Sequence, residues 1–301
     1  MILKRLNNLS ELIKPLDQKT LVAVNAVDSH TLEAIAEAVS SGLVKAIVTG
    51  NRLEIENQCT SHGINPSLFE IVHADTIEEA AQVSVRLVQK VSGGVLMKGL
   101  ISTDKFMHAI LNKEAGMLLP GRVLSHVAVV DNPNYHKLII VSDVAVIPYP
   151  TITQKITMAH YLKEMAMLLG IENPKIALIA PTEKILPSLM SCTDAMEIMK
   201  AAEDGQFKPA IVFGPMALDV ALDMESALIK NITTTVAGDA DCLLFHNIDA
   251  GSIFYKVNSQ LCGADLAAVV MGAKVPVILS SRGDSKKTKS NSIALAALLS
   301  K

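Results

Sequence analysis

The stretch "LVAVNAVDSHTLEAIAEAVSSGLVKAIVTG", residues 21–50, contains a complete strand–helix–strand pattern. Residues 21–26 and 44–50 are apolar runs with little polar alternation, which is typical of strands that are buried on both faces of a parallel sheet. Between them, residues 29–42 carry apolar side chains at helical spacing. This order predicts a β-α-β unit, in which a helix connects two parallel strands.

The same alternation recurs along the chain. Each of several further apolar runs is followed by an amphipathic stretch, and these runs lie at 69–74, 93–99, 175–180, 209–214 and 240–247. Repeated strand–helix units predict an α/β fold with mostly parallel sheets. Toward the C-terminus, residues 266–281 are expected to form two strands separated by a Gly-Ala turn, followed by a last helix that ends at Leu299.

The middle of the chain has a different character. Residues 123–131 and 136–147 are expected to form two adjacent strands joined by an Asn-Pro-Asn turn. Residues 149–170 then predict one long helix, which can connect two lobes. We therefore expect two α/β lobes, with the C-terminal helix returning to pack on the first.

Composition narrows the class of protein. The 301 residues are 50% hydrophobic and 19% charged, with a net charge of −3, so no strong field favours nucleic acid or an anionic membrane. Aromatic residues make up 3%, which disfavours stacking on single-stranded nucleic acid. The sequence shows neither a secretory signal nor an apolar stretch long enough for a transmembrane helix, and we expect a cytoplasmic protein without membrane contact.

Several kinds of cofactor site lack their motif. The sequence contains no GxGxxG, no GxxxxGK[ST], no HExxH, no EF-hand loop and no GxSxG elbow. The four cysteines lie far apart, which is typical of buried thiols in a reducing compartment and not of a metal cluster. We therefore expect no metal and no organic cofactor.

Polar residues stand at several predicted strand ends, where ligands bind in open α/β sheets. Together they suggest an oxyanion pocket, because arginine binds phosphate through two parallel hydrogen bonds and a serine hydroxyl can donate to a developing oxyanion. The candidates are Lys98, Thr103, Arg122, Ser125, His126, Asp143, Ser252, Ser281, Arg282 and Asp284.

Each candidate also has an ordinary structural explanation. Ser281 can cap a turn, Arg282 can be an exposed loop residue, and His126 can be a core histidine within an apolar strand. Lys98 can simply follow a strand. The basic run at 286–289 is read as a solvated face, or else as a contact with the phosphates of a nucleotide-bearing carrier.

Five stretches resemble the phosphate acetyl/butyryltransferase family, and its butyryl branch most of all. They are "LMKGLISTDKF" (96–106), "GRVLSHVAVVD" (121–131), "VSDVAVIPYPT" (141–151), "AGDADCLLFHNIDAGSIFYK" (237–256) and "GAKVPVILSSRGDSKKTKSNSIALA" (272–296). The resemblance implies transfer of a short acyl group, butyryl first and acetyl as the alternative, between coenzyme A and inorganic phosphate in a ternary complex. The reaction that the resemblance implies uses neither a metal ion nor an organic prosthetic group.

The resemblance also implies an architecture similar to that of isocitrate and isopropylmalate dehydrogenases. Residues 1–149 plus 282–301 are then the first lobe and residues 150–281 the inserted second lobe, with the active site in the cleft and with homo-oligomers as the assembly. A non-catalytic acyl-CoA-binding or oligomerisation module of the same fold is the alternative from another class. A nicotinamide-dependent dehydrogenase is a weaker third reading.

Residue roles follow from the same resemblance. Ser281 and Arg282 match the family's Ser-Arg-Gly segment, where the serine stabilises the oxyanion and the arginine binds phosphate. Arg122 matches an arginine that contacts phosphate or coenzyme A. In phosphate acetyltransferases the proposed thiol base is an aspartate seven positions after the serine, and that spacing falls on Thr288. Asp284 and His126 are therefore the candidate bases, unless the departing phosphate takes the proton.

Overall fold

The computed structural model describes residues 2–12, 18–281 and 283–300. Within this part of the chain, the strands are β1 Lys19–Val24, β2 Val44–Gly50, β3 Phe69–His73, β4 Gly94–Lys98, β5 Ser125–Asp131, β6 Ile139–Ser142, β7 Lys175–Ile179, β8 Ile211–Met216, β9 Cys242–Leu244, β10 Asp265–Met271 and β11 Val277–Ile278.

The α-helices of the described residues are α1 Ser29–Ser40, α2 Arg52–Ser61, α3 Ile77–Val88, α4 Thr103–Ile110, α5 Ile152–Leu168, α6 Met190–Glu203, α7 Leu218–Leu222, α8 Met224–Ile229, α9 Ile248–Gln260 and α10 Lys286–Leu299. Short 3-10 helices cover Leu6–Leu12 and Pro66–Leu68. None of the helices in this part of the chain combines the length and the apolarity that a membrane crossing requires.

The chain divides into two compact units, which we call unit A and unit B. Unit A comprises Asn7–Leu124 and the chain from Leu266 onward. Its strands lie in the order β3-β2-β1-β4-β11-β10, and every pair is parallel except β10 with β11. Residues Leu21–Val24 of β1 are fully buried at the centre of this sheet. The strand–helix–strand prediction for residues 21–50 is therefore confirmed.

Unit B comprises the chain up to Leu6 together with Ser125–Asp265. Its strands lie in the order β5-β6-β9-β7-β8, and only β5 and β6 pair antiparallel. The prediction of an α/β fold with mostly parallel sheets is confirmed in both units. The helix expected after β8 is divided in two, because Asp223 ends α7 and caps α8 by accepting from the N–H of Ser226 (2.7 Å).

The units end at different residues from the predicted lobes, which had their boundaries at 149/150 and 281/282. Strand β6 pairs with β9, so the two strands that were placed at the end of the first lobe belong to unit B. Strand β11 pairs with β4, so the segment before residue 282 belongs to unit A. In unit A the last helix, α10, packs against α1, and Lys286 forms an ion pair of 3.3 Å with Glu37 of α1.

The exits of β1 and β4 approach each other closely in unit A. Strands β2 and β3 lie on one side of β1 and β4 lies on the other, so the strand order reverses at this point. The Gly99 N–H donates to the carbonyl of Val24 (2.9 Å), and the Leu100 N–H donates to the carbonyl of Asn25 (2.9 Å). A Cβ at position 99 would lie 2.4 Å from the Val24 oxygen, so this contact requires glycine.

We expect Gly99→Ala to destabilise unit A by about 1–3 kcal/mol, because the new methyl group forces two backbones apart. Urea unfolding followed by circular dichroism measures this as a lower midpoint. Gly283→Ala is the matched control, since a Cβ at position 283 meets no heavy atom within 4 Å. Equal midpoints for the two variants would contradict the requirement for glycine at position 99.

Candidate functional site

A cavity of about 170 Å³ lies in unit A beyond the carboxyl ends of β1, β4 and β11. Ligands bind at such an edge of an open α/β sheet, where the strand order reverses. The polar side chains that line the cavity come from the start of α1, from the two strand exits and from α10, and they are Asp28, His30, Thr31, Lys98, Ser280, Ser281 and Lys289. The structure thus brings the predicted residues Lys98 and Ser281 together.

Lys98 is the last residue of β4 and is only 4% exposed. Its ammonium lies 3.5 Å from the carbonyl oxygens of Gly99 and Ser280. In return, the Ser280 hydroxyl donates to the Lys98 carbonyl (3.3 Å). These contacts join the end of β4 to the segment after β11 and hold a positive charge at the wall of the cavity.

Ser281 lies in a turn that Asp284 shapes. The Asp284 carboxylate accepts from the Ser281 N–H (2.7 Å), and the Asp284 N–H donates to the Ser281 carbonyl (3.2 Å). The Gly283 N–H lies 3.4 Å from the Ser281 hydroxyl oxygen, to which it donates. Arg282, between them, lies outside the described residues. Asp284 thus has a defined structural part, and its part as a base stays a prediction.

The first turn of α10 begins beside this turn. Ser285 caps the helix by accepting from the Thr288 N–H (3.1 Å), and the two hydroxyl oxygens of Ser285 and Thr288 lie 3.0 Å apart. Thr288 stands where the family resemblance places a carboxylate base. A threonine hydroxyl does not accept a proton at neutral pH, and here it belongs to the helix cap.

Lys289 corrects the interpretation of the basic run at 286–289. Lys286 and Lys287 are exposed, as expected for a solvated face, but Lys289 is only 3% exposed and lines the cavity. Helical spacing provides the missing signal, because Lys289 precedes the buried residues Ile293 and Ala296 on the same face of α10. Reading the run as a block of charge concealed that periodicity.

Three predicted residues meet in unit B. One oxygen of Asp143 accepts from the Ser125 hydroxyl (2.9 Å) and from the His126 N–H (3.0 Å). The other oxygen accepts from the N–H groups of Ala145 (2.7 Å) and Val146 (2.8 Å). Burial raises the pKa of the Asp143 carboxyl, and the four donors oppose that rise. With both oxygens engaged, Asp143 fixes the start of β5 to the loop after β6.

His126 is buried in β5, and neither of its ring nitrogens has a hydrogen-bond partner among the residues that the structure describes. Burial lowers the pKa of the imidazole to about 4, so the ring is neutral at neutral pH. A buried polar ring without partners is rare in native structures, and it is compatible with either a core residue or a group that meets a ligand.

The other candidates are not brought into these clusters. Thr103 begins α4 and is exposed, Arg122 is exposed in the segment before β5, and neither lines the cavity. In unit B, Ser252 of α9 accepts from the Lys256 ammonium (2.9 Å). Their predicted contacts with phosphate or coenzyme A stay predictions.

A polar cluster in unit B was not predicted from the sequence. Lys155 of α5 is buried and donates to Asp194 of α6 and to Nδ1 of His246 (2.8 Å), which follows β9. Burial lowers the pKa of Lys155, and the Asp194 carboxylate opposes that effect. The three side chains satisfy one another, so the cluster ties α5, α6 and β9 together. The described residues hold no group of three or more side chains suited to a metal ion.

We expect His126 to make the stability of the protein depend on pH. Its pKa is about 4 when folded and about 6.5 when unfolded, so between these values the unfolded chain binds more protons. Stability is therefore lost as the pH falls from 7 toward 4, and the His126 contribution between pH 7 and pH 5 is about 2 kcal/mol.

Urea unfolding at pH 7 and pH 5 tests this in the wild type and in His126→Leu. The variant should lose about 2 kcal/mol less on acidification. The control is His108→Leu, which replaces an exposed histidine of α4 and should keep the wild-type pH dependence. If His126→Leu and the wild type lose the same stability, the imidazole does not become protonated on unfolding in this range.

Comparisons with known proteins agree with the resemblance. Residues 77–297 match the model of the family described as phosphate acetyl/butaryl transferase. The chain is 38% identical over 298 residues to a phosphate butyryltransferase of Clostridium acetobutylicum, covering 99% of each chain. It is 34% identical over 283 residues to a phosphate acetyltransferase of Thermotoga maritima, covering 93% of this chain and 95% of that one.

A solved structure gives the same result. The crystal structure of a branched-chain phosphotransacylase from Enterococcus faecalis superposes with a TM-score of 0.82 at 30% identity, covering 94% of this chain and 100% of that one. The sequence match and the fold therefore point to one family along nearly the whole length. The chain belongs to the phosphate acetyl/butaryl transferase family.

Proposed function

We propose that this protein transfers a short acyl group, with butyryl preferred, between coenzyme A and inorganic phosphate. The observation that carries the proposal is the 38% identity to a phosphate butyryltransferase over 99% of both chains. The cavity in unit A suits the reaction, because its buried lysines and the Ser281 hydroxyl offer the donors that an oxyanion needs.

The reaction is a direct acyl transfer with both substrates bound. A phosphate oxygen attacks the thioester carbonyl carbon, a C–O bond forms, and the carbonyl oxygen becomes an oxyanion. The C–S bond then breaks, giving acyl phosphate and the thiolate of coenzyme A, which takes up a proton. Holding both reactants in one site contributes much of the acceleration, because the bimolecular step becomes effectively unimolecular.

Residue roles in this proposal follow the Ser-Arg-Gly match. Ser281 donates its hydroxyl to the oxyanion, and Arg282 holds the phosphate. In the reverse direction the thiol, with a pKa of about 8.5, must lose its proton. Because Thr288 cannot accept it, we assign this step first to Asp284, which lies in the Ser281 turn. His126 and the phosphate itself are the alternatives.

Two alternatives to this function are kept. The first is a preference for acetyl, which is supported by the 34% identity to a phosphate acetyltransferase. A non-catalytic acyl-CoA-binding or oligomerisation module is the alternative from a different class. Homo-oligomerisation, a cytoplasmic location and independence of cofactors stay predictions from the sequence.

We expect release of free thiol from butyryl-CoA that requires inorganic phosphate, measured with a thiol reagent in the presence and absence of phosphate. The kcat/KM for butyryl-CoA should exceed that for acetyl-CoA by at least about tenfold, because added methylenes change preference by this order. Thiol release without phosphate would identify a thioesterase. No release from any acyl-CoA would identify a binding module.

We expect Ser281→Ala to lower kcat by about 100-fold to 1,000-fold, which is the usual cost of losing one oxyanion donor. The matched control is Ser290→Ala on α10, whose buried hydroxyl has no partner among the described residues and does not line the cavity. That control should keep kcat within twofold of the wild type. A similar kcat for the two variants would remove Ser281 from the oxyanion role.

A further inference from the structure

Lys289 is a buried cation that the family resemblance leaves without a role. It is 3% exposed, and among the described residues its ammonium has neither a hydrogen-bond nor an ion-pair partner. A lysine that lines a cavity without a compensating charge has hydrogen-bond donors to offer to an anion that enters it.

The surroundings of Lys289 also favour an anion. Lys98 lines the same small cavity and is likewise buried. The first turn of α1, represented in the wall by His30 and Thr31, contributes the positive end of a 12-residue helix. Among the described residues of the wall, Asp28 alone has a carboxylate, and one of its oxygens already accepts from the Thr31 N–H (2.9 Å). Two lysines therefore face one carboxylate.

The size of the cavity restricts the ligand. Its volume of about 170 Å³ is several times the roughly 30 Å³ that one water molecule occupies in the liquid. It is below the roughly 300–1,000 Å³ of pockets that enclose drug-sized ligands. A tetrahedral oxyanion fits these limits, whereas the whole acyl carrier does not.

We propose that Lys289, together with Lys98 and the first turn of α1, forms the binding site for the phosphate substrate. This inference rests on the proposed function and names a cation of its site. Position 288, where the family resemblance places a carboxylate base, holds Thr288 here, and the next residue of α10, Lys289, lines the cavity. The first turn of α10 contains no acidic residue. In this proposal the first turn of α10 contributes a cation for phosphate and no carboxylate for proton abstraction.

Steady-state kinetics separates binding of phosphate from binding of the acyl carrier. Lys289→Met should raise the KM for phosphate by about tenfold to 100-fold, the range that corresponds to one charge-assisted hydrogen bond. The KM for butyryl-CoA should stay within twofold. Lys289→Arg, which keeps the charge, should recover most of the loss. The control is Lys45→Met, an exposed lysine of β2 in the same unit, which should leave both constants unchanged. A phosphate KM within twofold of the wild type in Lys289→Met would overturn the proposal.

Thermal unfolding gives a readout that does not need turnover. Inorganic phosphate should raise the midpoint of the wild type, since a ligand that binds only the folded state stabilises it. Lys289→Met should lose this shift, and Lys45→Met should keep it. An equal phosphate-induced shift in Lys289→Met and the wild type would contradict the site.

A third measurement covers the case in which Lys289→Met does not fold. Crystals of the wild type soaked in selenate should show an anomalous peak within hydrogen-bond distance of the Lys289 ammonium. A peak that contacts other cations but not Lys289 would overturn the inference. Failure of the proposed function is recognised separately, because the wild type would then release no thiol from butyryl-CoA with phosphate, whatever its anion binding.

Discussion

The backbone contact between the exits of β1 and β4 is the constraint on which the candidate site depends. Because Gly99 lies against the Val24 carbonyl, the two parallel strands leave the sheet side by side at the point where the strand order reverses. Lys98 is then held at the edge of the sheet, and β11 beside β4 brings Ser281 to the same place. The close approach of these two strand exits thus decides where the donors converge.

The local pattern of apolar residues predicts the strands and helices of this fold better than it predicts the boundaries between the two units. The strands of both units follow from short apolar runs, and β2 was predicted from Val44 to Gly50 as observed. The unit boundaries were not predicted, because they depend on the pairing of β6 with β9 and of β11 with β4. Those strands lie far apart in sequence, and no local periodicity states which of them pair.

Prediction of the candidate site from sequence is limited in the same way, because the sequence does not show which side chains contact one another. The predicted strand ends singled out Lys98 and Ser281, and these two residues line one cavity because residues that follow parallel strands lie together at the carboxyl edge of the sheet. The same argument cannot tell a free polar group from an engaged one, and Asp143 proves to be occupied by four donors of its own unit. Lys289 escaped notice because the run at 286–289 was read as a block of charge, although helical spacing places it on the face of α10 that carries the buried Ile293 and Ala296.

The split of unit A into two sequence segments has a consequence for biosynthesis. Unit B consists of the chain up to Leu6 and of Ser125–Asp265, so the ribosome delivers all of it before the segment that begins at Leu266. Strand β11 and helix α10 emerge after the other described strands and helices, with Ser281 in the turn between them and Lys289 on α10. The sheet that bears the cavity is therefore complete only after residues 266–299 have been added, and a nascent chain that stops before residue 266 lacks Ser281 and Lys289.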